Sequence, residues 1–320
     1  MKILVTGAAG FIGSHLVESC LDDQHYVIGL DNLSSGSNWN INHLLDNRSF
    51  KFVKGDIRDR GLLSALTKDV DILYHLAAQV HVDKSYIDPL ETYEVNVQGT
   101  QNVLETARLN DVSHIVYASS SEVYGSNVAD CPMAEEHPLR APHPYGASKI
   151  AADRMCYAYA QTYGMNISIM RSFNVFGPRQ REVGYGGVIS IFLRRILSNF
   201  PPIIFGDGTQ TRDYTYVSDT IQAYRTVASY AVVDMSSRTA CLPINFGTGV
   251  GVSVKDIALK LIELTSKELE PVHVDARPGE VQNLLADYTK ATALYGWQPE
   301  INFNDGLKRY VDWYMKYGNR

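Results

Sequence analysis

Six short, almost continuous apolar runs dominate the first half of the chain. They are ILVTG (3–7), YVIGLD (26–31), FKFVKGD (50–56), DILYHLAA (71–78), HIVYASS (114–120) and ISIMR (167–171). Strands buried on both faces read this way, whereas a half-exposed strand alternates polar and apolar residues. Amphipathic stretches lie between the runs. Residues 89–109 place Leu90, Tyr93, Val97, Val103 and Leu104 at helical spacing. Residues 145–163 do the same with Ile150, Met155, Tyr159 and Tyr163. Strand–helix alternation predicts an α/β fold: a Rossmann-type, doubly wound parallel sheet with right-handed crossovers.

After Arg171 the rhythm breaks. Gly and Pro cluster in FGPRQREVGYGG (176–187) and NFPPIIFGDGTQ (199–210). Isolated helical patterns follow, such as VSVKDIALKLIELT (252–265), and a last helix over about 304–317 that would bury Leu307, Tyr310, Val311 and Tyr314. The reading is a larger domain over 1–173, with returning segments from about 211–249, and a smaller, interleaved C-terminal α/β substrate domain over 174–320.

Composition narrows the class. The 320 residues are 45% hydrophobic and 20% charged, which is ordinary for a globular protein. A net charge of −6 gives no electrostatic case for a nucleic acid or membrane partner. Cys20, Cys131, Cys156 and Cys241 are scattered, so free thiols in a reducing compartment are expected, with no metal site. Met1-Lys2 runs straight into ILVTG, and no apolar run reaches the ~18 residues of a membrane span. The expectation is a cytoplasmic protein.

GAAGFIG puts Gly7, Gly10 and Gly13 after the first strand and at the mouth of a helix. Glycines let backbone N–H groups approach a pyrophosphate where the helix dipole favours anions. Asp31 ends the second strand. A carboxylate there accepts from both ribose hydroxyls and repels a 2′-phosphate, so the expected cofactor is NAD rather than NADP.

PYGASK (144–149) sets Tyr145 and Lys149 four residues apart, on one helix face. A lysine cation beside a phenol favours phenolate and lowers its pKa from about 10. The expectation is a general base usable near neutral pH.

Glycine triplet, Ser-rich strand end and Tyr-x-x-x-Lys together resemble the extended short-chain dehydrogenase/reductases, over residues 1 to about 315. The resemblance implies NAD contacts at Gly7, Gly10, Phe11, Ile12, Gly13 and Asp31, and in DNLSSGS at Asn32, Ser35 and Gly36. It adds Asp56 and Ile57 around adenine, Leu76, Ala77 and Ala78 along the cofactor, Asn96 in NVQGT, and Ser119 at the strand end. Ser120 aligns with the family's Ser/Thr, which hydrogen-bonds the hydroxyl being oxidised. Tyr145 would take the proton and Lys149 would tune Tyr145 and hold the ribose.

Within SSSEVYG (119–125), Ser121 and Glu122 carry the finer information. Enzymes resembling dTDP-glucose 4,6-dehydratase have Asp-Glu there, GDP-mannose dehydratases and UDP-glucuronate decarboxylases have Ser-Glu, and simple 4-epimerases have small or uncharged residues. Once C4 is a ketone, the C5 proton is acidic, and Glu122 fits the base that removes it. HLAAQVHVDKS (75–85) is similar to a 4,6-dehydratase segment and brings His81, Asp83 and Lys84 as site candidates. The proline-rich segment of the decarboxylases is missing. Substrates of the family are nucleotide diphosphate sugars, and Asn174, Arg179, Arg212 and Arg277 match its binding motifs. The reading is an NDP-hexose 4,6-dehydratase, with a 4-epimerase as alternative and a UDP-glucuronate decarboxylase behind it. The apolar faces of helices 89–109 and 145–163 imply a homodimer through a four-helix bundle.

Overall fold

A computed structural model describes residues 1–126, 132–182, 186–233, 241–276 and 281–318. The six apolar runs are strands: β1 (Lys2–Thr6), β2 (Tyr26–Asp31), β3 (Phe50–Lys54), β4 (Ile72–His75), β5 (His114–Ala118) and β6 (Ile167–Ser172). With the strand Pro243–Phe246 at one edge they form a seven-stranded sheet, ordered 243–246, β6, β5, β4, β1, β2, β3. The neighbours from β3 to β6 all pair in parallel. Ile3, Leu4, Val5, Leu73, Ile115, Val116, Ile167 and Ile169 are buried, as continuous apolarity demands. The strand order reverses between β1 and β4, the switch point where such sheets bind ligands at their carboxyl ends.

Helices α1 (Phe11–Asp22), α2 (Arg60–Leu66), α3 (Val82–Ile87), α4 (Pro89–Tyr93), α5 (Thr100–Leu109) and α6 (Pro144–Tyr163) complete the crossovers. The single helix expected over 89–109 is divided. Pro89 starts α4 behind the Asp88 cap, a π-helical segment spans Glu94–Gly99, and α5 follows. The wider turn rotates the apolar face. Val97, Val103 and Leu104 are buried, while Leu90 and Tyr93 remain 66% and 56% exposed. Gly99 lies where an added Cβ would come within 2.6 Å of Ile57 Cδ1, so a side chain there would have to displace Ile57.

In α6 the buried stripe also differs from expectation. Ser148, Lys149, Ala152, Asp153, Cys156 and Ala160 face inward, and Tyr163 is 53% exposed. Two charged residues belong to the inner face because both find partners there. Asp153 accepts from Ser119 Oγ (3.0 Å) and from Arg171 Nε (2.9 Å) and Nη2 (3.2 Å). Asp153 and Arg171 are almost wholly buried.

The chain forms two compact units. The first contains Met1–Val123, Ala141–Arg171 and Ile221–Ile244; the second contains Tyr124–Arg140, Ser172–Thr220 and Asn245–Arg320. In the second, the strand Thr211–Tyr216 pairs with Gly251–Ser253, Asn283–Leu284 and Asn174–Phe176. Buried Asp213 pins this sheet by accepting from the backbone N–H groups of Thr248, Gly249 and Ala286. The last helix, Phe303–Tyr317, buries Leu307, Tyr310, Val311 and Tyr314, the stripe read from the sequence.

Replacing Asp153 with Ala leaves the Arg171 guanidinium buried without its carboxylate. The expected loss is about 3–5 kcal/mol, read from the urea midpoint of unfolding. A loss below about 1 kcal/mol would mean the pair is solvated.

Candidate active site

The turn from β1 into α1 is built for close backbone approach. Gly7 has φ +75°, and a Cβ there would lie 2.8 Å from the Ala77 nitrogen. A Cβ on Gly13 would lie 2.0 Å from the Gly7 oxygen. No side chain caps α1, and no acidic residue occupies its first turn. Its N–H groups and dipole therefore face the glycine turn, an arrangement suited to a phosphate. Phe11 and Ile12 open this helix, half-buried.

Asp31 closes the cradle. Its carboxylate accepts from Ala9 N (2.9 Å) and Leu33 N (2.7 Å). Burial pushes its pKa up, and the backbone bonds from Leu33, Ala9 and Gly10 oppose that. Gly36 lies so close that a Cβ would sit 2.9 Å from Asp31 Oδ2, and the Ser37 N–H donates to Ala9 O (2.9 Å). The loop carrying Asn32, Ser35 and Gly36 is thus folded onto the glycine turn. Asp56 accepts from Asn32 Nδ2 (2.9 Å) and from Arg58, whose guanidinium is the main cause that draws its pKa down to about 2. Ile57 is buried beneath Gly99.

A buried hydrogen-bonded chain runs under this cradle. The Ala77 N–H donates to Thr6 Oγ1 (3.2 Å), which bonds His75 Nδ1 (2.8 Å). His75 Nε2 bonds Thr100 Oγ1 (2.9 Å), which donates to Asn96 O (2.7 Å). Because Thr100 uses its proton on Asn96, His75 carries its own on Nε2. Complete burial pushes the His75 pKa down to about 3, so the ring is neutral. The Asn96 side chain is expected on the cofactor. In the structure it accepts from Gln79 N (2.7 Å) and donates to Gln79 O and Ser148 Oγ (both 2.9 Å). It ties the Leu76–Ala77–Ala78 strand end to α6.

At the end of β5 the Ser-rich stretch divides its work. Ser119 Oγ donates to Asp153, a bond that serves the fold. Ser120 Oγ accepts from Glu122 N (3.2 Å) and shares a hydrogen bond with the Tyr145 hydroxyl. Ser121 and Glu122 begin a short 3₁₀ turn, with Ser121 buried. Tyr124 belongs to the second unit, where its hydroxyl donates to Asn245 Oδ1 (2.6 Å).

Tyr145 and Lys149 share the buried face of α6. The electrostatics reverse the expected direction for Tyr145. Burial pushes its pKa up to about 12; the Ser120 hydrogen bond lowers it and the Glu122 charge raises it. The Lys149 ammonium donates to Ala118 O (2.8 Å) and lies 5.1 Å from the Tyr117 ring centre. Burial pulls its pKa down to about 8.

Reasoning from the sequence missed His143. It is the N-cap of α6: its Nδ1 accepts the Gly146 N–H (3.0 Å), and its Nε2 lies 3.0 Å from Glu122 Oε2. The signal was present, since Pro144 marks the first helical position and makes residue 143 the cap.

Other candidates are less gathered. His81 is the N-cap residue of α3, its side chain not making the cap bond, and its backbone N–H donates to Gln79 Oε1. Lys84 pairs with Glu91 (2.6 Å). In the second unit, Asn174 stands on a strand opposite Tyr214, and Arg179 has φ +69°. Arg212 donates to Thr211 O (2.8 Å). Arg277 lies outside the described residues. Cys20, Cys156 and Cys241 are buried free thiols, and Cys131 is likewise outside. Among the described residues, no cluster of three His, Cys, Asp or Glu side chains is placed to hold a metal ion, and no helix is long and apolar enough to cross a membrane.

Residues 4–310 match the family described as GDP-mannose 4,6 dehydratase. The chain is 40% identical over 323 residues to a putative UDP-glucose 4-epimerase of Methanocaldococcus jannaschii, covering 99% of each. It is 34% identical over 327 residues to the dTDP-D-glucose 4,6-dehydratase of Bos taurus, covering 98% of this chain and 89% of the other. The crystal structure of DesIV, a dTDP-glucose 4,6-dehydratase of Streptomyces venezuelae with NAD and TYD bound, matches with TM-score 0.92 at 33% identity, over 99% of this chain and 98% of that one. The chain belongs to the nucleotide-sugar epimerase/dehydratase family of the short-chain dehydrogenase/reductases. Its relatives include both 4,6-dehydratases and 4-epimerases.

Lys149 makes stability depend on pH. Its folded pKa of about 8 lies below the usual 10.5, so the unfolded chain binds more protons between these values. The burial penalty is complete below pH 8 and is relieved as pH rises towards 10.5. Between pH 7 and pH 10, urea unfolding should show wild type gaining about 1–3 kcal/mol on Lys149→Met. An unchanged difference would place the ammonium in water.

Proposed function

We propose that the protein is an NAD-dependent nucleotide-diphosphate-hexose 4,6-dehydratase. The observation that carries this reading is the Glu122 carboxylate, held at the strand end beside Ser120 and Tyr145. The cradle fits a dinucleotide. Side chains are excluded at Gly7 and Gly13, the α1 N-terminus is open, and Asp31 stands where ribose hydroxyls would donate. A 2′-phosphate would meet that carboxylate, which favours NAD.

Bound NAD supplies a hydride acceptor that also returns the hydride, so net redox is zero. Ser120 holds the C4 hydroxyl, and Tyr145 Oη takes its proton. With its pKa near 12, Tyr145 is almost wholly protonated near neutral pH on the protein's own groups; the positive charge of an oxidised nicotinamide would bring the pKa down. Lys149 adds a second cation on the same helix face. Glu122 then removes the C5 proton as water leaves C6, and Ser121 stands nearest in sequence as the donor to the departing hydroxyl. The resemblance assigns the diphosphate to Arg179, Arg212 and Arg277, with Asn174 and His81 as further substrate contacts.

One observation favours 4-epimerisation instead. Ser121 supplies a hydroxyl where water loss calls for a stronger acid. The epimerase would use Ser120, Tyr145 and Lys149 alone, with Glu122 idle.

Overnight incubation with a panel of UDP-, dTDP-, GDP- and CDP-hexoses, without added cofactor, separates the readings by mass spectrometry. The dehydratase gives a product lighter by one water. A product of unchanged mass and shifted retention overturns it in favour of the epimerase. Glu122→Gln should abolish incorporation of solvent deuterium at C5; retained incorporation would remove Glu122 from the reaction.

We further infer a homodimer through α4–α5 and α6. Leu90, Tyr93, Leu109, Tyr157 and Tyr163 are exposed on these helices, apolar surface that a second copy would cover. Light scattering should give twice the chain mass, and Leu90→Asp with Tyr93→Asp should give the monomer. A monomeric wild type sinks the inference. The three buried free thiols suit a reducing, cytoplasmic setting.

A further inference from the structure

His143 does two things with one ring. Its Nδ1 lies 3.0 Å from the Gly146 nitrogen, capping α6. Its Nε2 lies 3.0 Å from Glu122 Oε2. A backbone N–H only donates, so Nδ1 must offer a lone pair. The proton of the neutral ring is then on Nε2, aimed at the carboxylate. The cap bond therefore determines the tautomer, and the tautomer makes His143 a donor to Glu122.

Further contacts hold the ring in that pose. It stacks on Tyr145, with centroids 6.1 Å apart and planes 12° apart, and meets Tyr86 edge-on at 6.3 Å. Its side chain is 4% exposed, against 19% for Glu122. Gly146 permits the approach. A Cβ there would lie 2.7 Å from Glu122 O and 3.1 Å from His143 Cε1. The start of α6 and the Ser121–Val123 turn are thus pressed together.

Capping alone does not account for a histidine. Ser, Thr, Asp and Asn cap at least as well, and each is too short to reach Glu122 as well. A cation in place of His143 would orient the carboxylate but lower its affinity for a proton. A neutral N–H donor orients it at much smaller cost to its basicity. We propose that His143 is a positioning residue that holds Glu122 Oε2 and leaves Oε1 to take the substrate proton. This rests on the dehydratase reading, in which Glu122 is the C5 base.

Two variants separate cap from donor. His143→Asn keeps an acceptor where Nδ1 was and loses the donor. His143→Gln keeps a donor at Nε2 reach and loses the cap. We expect His143→Asn to melt close to wild type while C5 deuterium incorporation falls about tenfold or more against the rate of bound-NAD reduction. We expect His143→Gln to melt about 2–4 °C lower and to keep most of the incorporation. Incorporation that follows melting temperature in both variants, or is unchanged in His143→Asn, overturns the proposal.

Nitrogen-15 chemical shifts of the ring give a reading independent of turnover. Nε2 should be protonated and Nδ1 bare, and Glu122→Gln should move the Nε2 shift while leaving Nδ1. The opposite tautomer overturns the pairing. A wild type that never exchanges C5 removes the dehydratase reading and the catalytic purpose of the pair; the ring shifts still decide whether the pair exists.

Discussion

Asp153 is the contact on which the site depends. It is buried on α6 and accepts from Ser119 at the end of β5 and from Arg171 at the end of β6. Tyr145 and Lys149 stand eight and four residues before it on the same helix face. Fixing Asp153 therefore fixes the rotation of α6 and aims the phenol at Ser120. A buried ion pair adds little net stability, because desolvation offsets its Coulomb energy. Its value here is geometric. Slippage of α6 would strand a carboxylate and a guanidinium in the core.

The second constraint is the neutral chain from Thr6 through His75 and Thr100 to Asn96. Asn96 then reaches Ser148 on α6, so the strand end below the glycine turn and the catalytic helix are joined by directed hydrogen bonds. Burial keeps His75 uncharged. The neutral His75 ring therefore adds no positive charge to that of the Lys149 ammonium. The π-helical segment Glu94–Gly99 places Asn96 where it can bond both sides.

Much of this was legible in the residues. Continuous apolar runs marked the strands, since a strand covered on both faces has no polar side to show. The glycine spacing marked the turn, because side chains are sterically excluded there. Legibility failed where polar residues are buried with partners. The stripe expected in 145–163 was Ile150, Met155, Tyr159 and Tyr163, whereas α6 buries Asp153 and Cys156, and the helix over 89–109 read as continuous, because periodicity counts apolar residues and cannot see a hydrogen bond between distant segments. On the protein's own groups the Tyr145 pKa rises rather than falls, because burial and the Glu122 charge both raise it, and helix spacing registers neither.

By itself, then, the sequence determined the sheet, the glycine cradle with Asp31, and the pairing of Tyr145 with Lys149 on one helix face. These follow from local rules of period, turn and spacing. Only the tertiary structure decided that Asn96 bonds Gln79 and Ser148, that Ser119 serves Asp153, and that His143 meets Glu122 across 21 residues of chain. Such contacts depend on how close two backbones come, and here that distance is set by Gly146, whose missing side chain lets the Glu122 turn lie against the start of the helix.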